Sequence, residues 1–384
     1  MPVTDLGSST SFVTELRRSG LIERSQLEMV LESVFSQSAA PEPEELAQYL
    51  VQQGYLTTFQ ADRILNGKSQ GLILGPYVIH DTIGVGSMGA VYRAVSRNDR
   101  KTYAVKVLPR RSMWNVRLAR RQVRAFGQFS HPAVVPFVDV GTSGGLHYLV
   151  WNFVEGQSLE ALVQQLVRLD VPTVARIGQQ IATGLNAAHS HGLVHGLVKP
   201  SNIMLDRSGE AKLLDFGIGS LLAENESESL VDTMSTANTL TSGLDCASPE
   251  SIMEPSNRTA AGDQYSLGCT LYFCLTGRYP FPEGTAVEKM MAHQTKQPTP
   301  IRELVPEVPP AMAAVVDRLM QKKPEERFIG IDEVAEALAP FVSSVVKSAS
   351  SSSVLLAVSS SPKTSLSSVR LDDTPSQPGS GSGT

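Results

Sequence analysis

The sequence predicts an α+β chain in which a small all-α region precedes a small β-rich lobe and a large helical lobe. Three observations carry this. Residues 12–31 and 46–65 repeat one another at a constant offset in a helical pattern. From Gly75 onward, β-branched and aromatic residues are broken by turn signals, as in antiparallel strands. Beyond Leu159 the apolar spacing becomes that of longer helices. A strand-rich run followed by a helix-rich run is the order of an α+β architecture.

The repeat opens the chain. Leu16, Gly20, Ile22, Gln26, Val30 and Leu31 of the first copy match Leu50, Gly54, Leu56, Gln60, Ile64 and Leu65 of the second. Each copy reads as a helix stopped by glycine, which accepts the left-handed conformation past a helix end, and then a second helix. Helical hairpins must bury their apolar faces against something. The copies either pack on each other as a small bundle or dock onto another protein or the following domain. The expected organisation is a helical region over 1–70, a two-lobed domain over 75–341, and a tail over 343–384. Serine, proline and glycine dominate the tail. Such a segment buries too little apolar surface to offset its ordering entropy, so disorder is expected there.

Composition narrows the function classes. Of 384 residues, 41% are hydrophobic, enough for a substantial core, and the net charge is −5. That balance argues against a general nucleic-acid binder or a polybasic membrane-surface protein. Cys246, Cys269 and Cys274 are odd in number and form no CxxC pair, which points to a reducing compartment. The N-terminus has no apolar core of a signal peptide, and no run approaches the ~18 apolar residues of a membrane span. A cytoplasmic protein is expected, with neither nucleic acid nor membrane as partner.

Four motifs then fall in one order. Gly84, Gly86, Gly89 and Val91 form G-x-G-x-x-G-x-V in a strand–turn–strand setting. Glycines there let backbone N–H groups approach phosphates without Cβ clashes. "YAVKVL" follows with Lys106 on a strand, placed to meet α- and β-phosphates. "LLDFGIG" then supplies Asp215 as an oxygen donor suited to magnesium, and Asn202 in "VKPSN" sits a short distance before it.

Together with "SPE" (248–250), "DQYSLG" (263–268) and "PEERF" (324–328), these motifs resemble a protein kinase of the bacterial, eukaryotic-like Ser/Thr type. The resemblance covers about 75–341 and implies a two-lobed fold with Mg–ATP between the lobes. It implies that Val91, Ala104 and Met204 sandwich adenine and that the backbone of Asn152 to Val154 forms the hinge. Lys199 would contact the γ-phosphate, and Asn202 and Asp215 would hold Mg²⁺. Asp263 would hold the catalytic-loop backbone, Glu250 would pair with Arg327, and His195, Phe216 and Phe126 would join an apolar spine. His189, His191 and His195 read as the end of a helix ahead of the loop rather than as a zinc cluster.

The departures concentrate on chemistry. "HGLVKPSN" places Leu197 where the family has the aspartate that accepts a substrate proton, so no catalytic residue is intact there. Losing a general base typically costs ~10²–10⁴ in rate. Gly196 replaces the arginine that reads a phosphate on the activation segment, and Gln122 stands where a glutamate would pair with Lys106. Ser242 and Gly243 replace the G-T pair before "SPE", and Trp151 narrows the pocket behind adenine. The segment before "SPE" is rich in Ser and Thr, either as phosphosites or as a plain polar loop. The reading adopted is a pseudokinase that binds Mg–ATP and signals through a protein partner. A weakly active Ser/Thr kinase and a nucleotide-free scaffold are the alternatives. The partner surface is expected on the N-terminal repeat or on the Arg-rich helix 110–124, unless those arginines only line a solvated face.

Overall fold

The computed structural model describes residues 9–37, 41–86, 89–108, 129–196, 198–216, 244–254 and 258–342. The Arg-rich stretch 110–124 with Gln122, Phe126, Leu197, Ser242, Gly243 and the tail 343–384 lie outside them. One compact unit holds the described residues up to Thr82 together with Tyr92–Lys101. A second holds Ile83–Val91 and the described residues from Thr102 onward.

In the first unit, each repeat copy forms a helix pair: α1 (Ser9–Ser19) with α2 (Arg24–Gln37), and α3 (Pro43–Gln52) with α4 (Thr58–Leu65). Gly20 at φ 65° and Gly54 at φ 74° end the first helix of each pair, where a side chain would be strained. Phe12, Leu16, Leu27, Leu46, Leu50, Leu56 and Ile64 are buried together as one core. The helices also bind the strands that follow, β1 (Ile73–Leu74), β2 (Tyr77–Gly86) and β3 (Gly89–Ser96). Thr57 and Gln60 form a capping box at the start of α4 and then reach further. Thr57 Oγ1 donates to His80 O at 2.7 Å and Gln60 Nε2 to Ile79 O at 2.7 Å. Arg97 Nη2 donates to Gly20 O at 2.8 Å, and the rings of Phe59 and Tyr92 lie 6.0 Å apart. The repeat therefore packs both on itself and on the strands after it.

In the second unit, β4 (Thr102–Val107), β5 (Phe137–Ser143) and β6 (Leu146–Asn152) pair antiparallel in the order β4–β6–β5. Gly144 and Gly145, at φ 55° and 75°, make the tight turn of the β5–β6 hairpin, which needs two left-handed residues. A second sheet runs β7 (Gly156–Ser158), β8 (Ile203–Asp206), β9 (Ala211–Leu213).

The helices of this unit are α5 (Leu159–Leu166), α6 (Val171–His189), α7 (Pro249–Met253) and α8 (Ala260–Thr276), then α9 (Ala286–Thr295), α10 (Ile301–Leu304), α11 (Pro310–Leu319) and α12 (Ile331–Val342). Helix α8 is buried on every side from Gly262 to Leu275, which explains its unpatterned apolar sequence. At Gly178 on α6 a Cβ would lie 2.7 Å from Leu338 Cδ1 of α12, so glycine permits the close approach of these helices. Among the described residues, no helix is long and apolar enough to cross a membrane.

Candidate functional site

The site is assembled on the loop between α6 and β8. Asp170 and Pro172 start α6, and the helix runs to His189 before a turn delivers His195 and Gly196. Asp263, wholly buried in the first turn of α8, holds that turn. Its Oδ2 accepts the His195 N–H at 2.9 Å and its Oδ1 accepts the Gly196 N–H at 2.7 Å. His189 Nε2 donates to the same carboxylate at 2.9 Å. Charge-assisted bonds of this kind, shielded from water, fix a backbone far better than neutral ones.

His195 is buried, and burial is the main cause lowering its pKa, against the opposing charge of Asp263. Its Nε2 lies 2.8 Å from Leu214 O; because a carbonyl only accepts, the ring carries the proton on Nε2. The ring also meets Phe216 edge-on at 5.1 Å. Phe216 in turn packs 6.0 Å from Phe129. Phe129 is one aromatic found against Phe216; the expected member, Phe126, lies outside the described residues.

These contacts carry Asp215 to Lys106. Leu214 N donates to Asn202 O at 2.8 Å, which sets Asp215 beside the short 3₁₀ turn Pro200–Asn202. Asp215 itself stands at φ 58°, a left-handed conformation that aspartate tolerates better than most residues. Lys106 Nζ bonds Asp215 Oδ2 at 2.8 Å, with the lysine side chain only 8% exposed. A lysine so buried needs a compensating charge, and Asp215 supplies it.

The remaining candidates surround this pair. Ala104 stands opposite Trp151 in the β4–β6 register, and Lys106 opposite Leu149. Trp151 packs with Leu108, Val135, Val140 and Leu149 and meets Phe137 edge-on at 4.9 Å. Asn152 ends β6, and its N–H donates to Pro136 O at 3.3 Å. Val154 packs against the same cluster as Trp151. Met204 on β8 lies opposite Ser158. Gly86 ends β2, Gly89 opens β3, and Val91 follows half-buried. A Cβ on Gly89 would lie 1.9 Å from Val107 O, so the chain's own packing demands glycine there. A Cβ on Gly84 would meet nothing within 4 Å. Packing among the described residues gives no reason for glycine at 84.

Lys199 precedes the 3₁₀ turn, and its charge is felt by Asp245. Burial raises the pKa of Asp245, and a 2.7 Å bond to buried Lys289 opposes the shift. No local pattern in the sequence signals this pair. Further out, Arg327 is completely buried and grips Glu250 through two bonds of 2.6 and 2.9 Å. Arg258 is a further residue missed in the sequence: it lies against Gly196.

The comparisons agree with this geometry. The protein kinase domain model matches residues 77–338. The chain is 34% identical over 274 residues to serine/threonine-protein kinase PknH of Mycobacterium bovis, covering 70% of this chain and 44% of that one. It is 32% identical over 275 residues to PknE of Mycobacterium tuberculosis, covering 70% and 46%. This chain therefore spans less than half the length of these curated relatives. The crystal structure of Rad53 1-466 in complex with AMP-PNP shares the fold, with a TM-score of 0.57, 22% identity and coverage of 73% and 70%. With a matching model over more than half its length and kinases as its relatives, the chain belongs to the protein kinase family.

Proposed function

We propose that this chain is a pseudokinase: it grips Mg–ATP in the cleft and has lost the group that draws a proton from the incoming hydroxyl. The observation that carries the reading is the Lys106–Asp215 bond at 2.8 Å beside a catalytic loop whose acceptor position is Leu197. With Gln122 uncharged, Asp215 is the carboxylate that neutralises Lys106. Nucleotide binding then means re-partnering. Lys106 turns to the phosphates, and Asp215 with Asn202 offers hard oxygens to the metal, a donor set that suits Mg²⁺. The metal would neutralise charge on the phosphate oxygens.

Gly84, Gly86 and Gly89 cover the phosphates, while Val91, Ala104 and Met204 enclose the base against the hinge at Asn152 to Val154. Trp151 stands opposite Ala104 and packs into the cluster of Leu108 and Val135. Lys199 steadies the γ-phosphate. With transfer impaired, the output is a shift in the arrangement of the lobes that a partner reads. The N-terminal helices, where Met29 is 63% and Phe35 38% exposed on α2, or the stretch 110–124, present the partner surface.

The rival is a weak Ser/Thr kinase, favoured by relatives that are named as kinases. Thermal unfolding with Mg–ATP tests the reading. At 100 times Kd, binding stabilises by ~2.7 kcal/mol. A shift that needs Mg²⁺ and is lost in Asp215→Ala supports the grip; no shift with wild type leaves a nucleotide-free scaffold.

A further inference from the structure

Ile329 is the most exposed large apolar side chain among the described residues, at 92%. It stands on a groove of about 490 Å³ in the second unit, walled by Ala260 and Ala261 of α8 and by Pro324, Phe328 and Ile331. Phe328 and Ile331 are themselves buried, so the groove has an apolar floor beneath an apolar rim. An opening of this size and character is the kind that takes an apolar occupant. Its remaining wall reaches the loop. His189 lines it and also bonds Asp263, whose carboxylate holds the backbone of His195 and Gly196.

The sequence holds one segment suited to it. Within 343–384, Val354–Val358 (VLLAV) is the only run of more than two apolar residues, and serines flank it on both sides. Reach permits the match. Helix α12 starts on the groove with Ile331 and ends at Val342, 12 residues and so ~18 Å away. The chain from Ser343 to Ser353 spans up to ~36 Å when extended, twice the return distance. A tether of that length presents the segment at a roughly millimolar effective concentration, an advantage that no separate partner has. We propose that Val354–Val358 folds back along α12 and lays its aliphatic side chains in this groove, covering Ile329. The docked segment then bears on the wall that fixes the loop of His195 and Gly196. The inference is independent of whether the nucleotide cleft binds ATP.

Thiol accessibility in the full chain tests this, since its three native cysteines are all buried. Ile329→Cys puts a thiol at the rim, and Glu325→Cys puts one on the same groove with Ile329 intact. Burying one aliphatic side chain shifts a docked-to-free ratio by roughly tenfold or more. Adding Leu355→Ser with Leu356→Ser should therefore speed maleimide labelling at either thiol by about that factor. In a second arm, Ile329→Cys is combined with Leu356→Cys or, as control, with Leu371→Cys, and oxidised with copper phenanthroline. The first pair should close a disulfide within one chain well ahead of the second. Labelling rates unmoved by the tail substitutions, at both positions, overturn the docking. Equal cross-linking from 356 and 371 overturns the choice of segment. Disulfides formed chiefly between chains assign the groove to a second copy's tail and overturn the return within one chain.

Discussion

Replacing Glu250 by glutamine is expected to destabilise the second unit by ~3 kcal/mol. Arg327 is fully buried, and its side chain is satisfied entirely inside the protein. Nη1 donates to Glu250 Oε1 at 2.6 Å and to Ala261 O at 2.8 Å; Nη2 donates to Glu250 Oε2 at 2.9 Å and to Lys322 O at 3.1 Å. Nε donates to Gln321 O at 2.9 Å. Glutamine keeps one acceptor but turns the other into a donor facing Nη2, and it removes the charge that balances the guanidinium. Breaking a buried pair by removing one partner costs ~3–5 kcal/mol. The low end applies because the Glu250 side chain retains 17% exposure and three carbonyls still hold Arg327.

For a domain of this size ~3 kcal/mol lowers the thermal midpoint by ~6–12 °C. Urea unfolding checks it, with a lower midpoint and an unchanged slope. The double change Glu250→Met with Arg327→Met removes both charges and should recover most of the loss, since apolar replacement of a buried pair is often neutral. A glutamine variant within ~0.5 kcal/mol of wild type, the level of an ordinary surface change, would refute the reasoning. So would a double variant as unstable as the single one.

Three other expectations can be measured alongside. Burial lowers the pKa of His80 to about 4 and that of His293 to about 3, both below the 6.5 of an unfolded chain. Protonation therefore favours unfolding: stability is full above pH 6.5 and falls as the pH drops toward 4. The His80 difference alone is worth ~3 kcal/mol at low pH, so a His80→Gln variant should show a flatter acid limb in chemical denaturation. Thr57→Ala removes both the cap of α4 and the bond to His80 O. A loss of ~1–2 kcal/mol is expected, with faster hydrogen exchange confined to α4 and the start of β2. Leu197→Asp should restore little phosphate transfer by itself, because Gly196, Gln122 and Gly243 also depart from the family pattern; a radiolabel assay giving full recovery would show that Leu197 alone is the lesion.

Legibility followed how local each determinant was. The order of strands and helices, the repeat with its stopping glycines, and the protein kinase family motifs were readable because each rests on spacing within a few residues. Asp263, Glu250 and Arg327 were readable through motif resemblance, and their bonds lie where that resemblance implies. What sequence could not show was contact between distant residues. Thr57 and Gln60 cap α4, and both also serve carbonyls of β2. Lys289 and Asp245, 44 positions apart, form a buried pair with no local signature. Arg258 lies 62 residues from Gly196, and only the path of the chain around α8 brings it there.

The central claim is that the cleft holds a nucleotide while nothing in the loop takes up the substrate proton. A single-turnover transfer of labelled γ-phosphate from Mg–ATP to a serine peptide, run beside Asp215→Ala, tests it most directly. The account predicts transfer at least ~10² below the 1–100 s⁻¹ typical of kinases, with nucleotide still bound. Transfer within that ordinary range, abolished in Asp215→Ala, would contradict it.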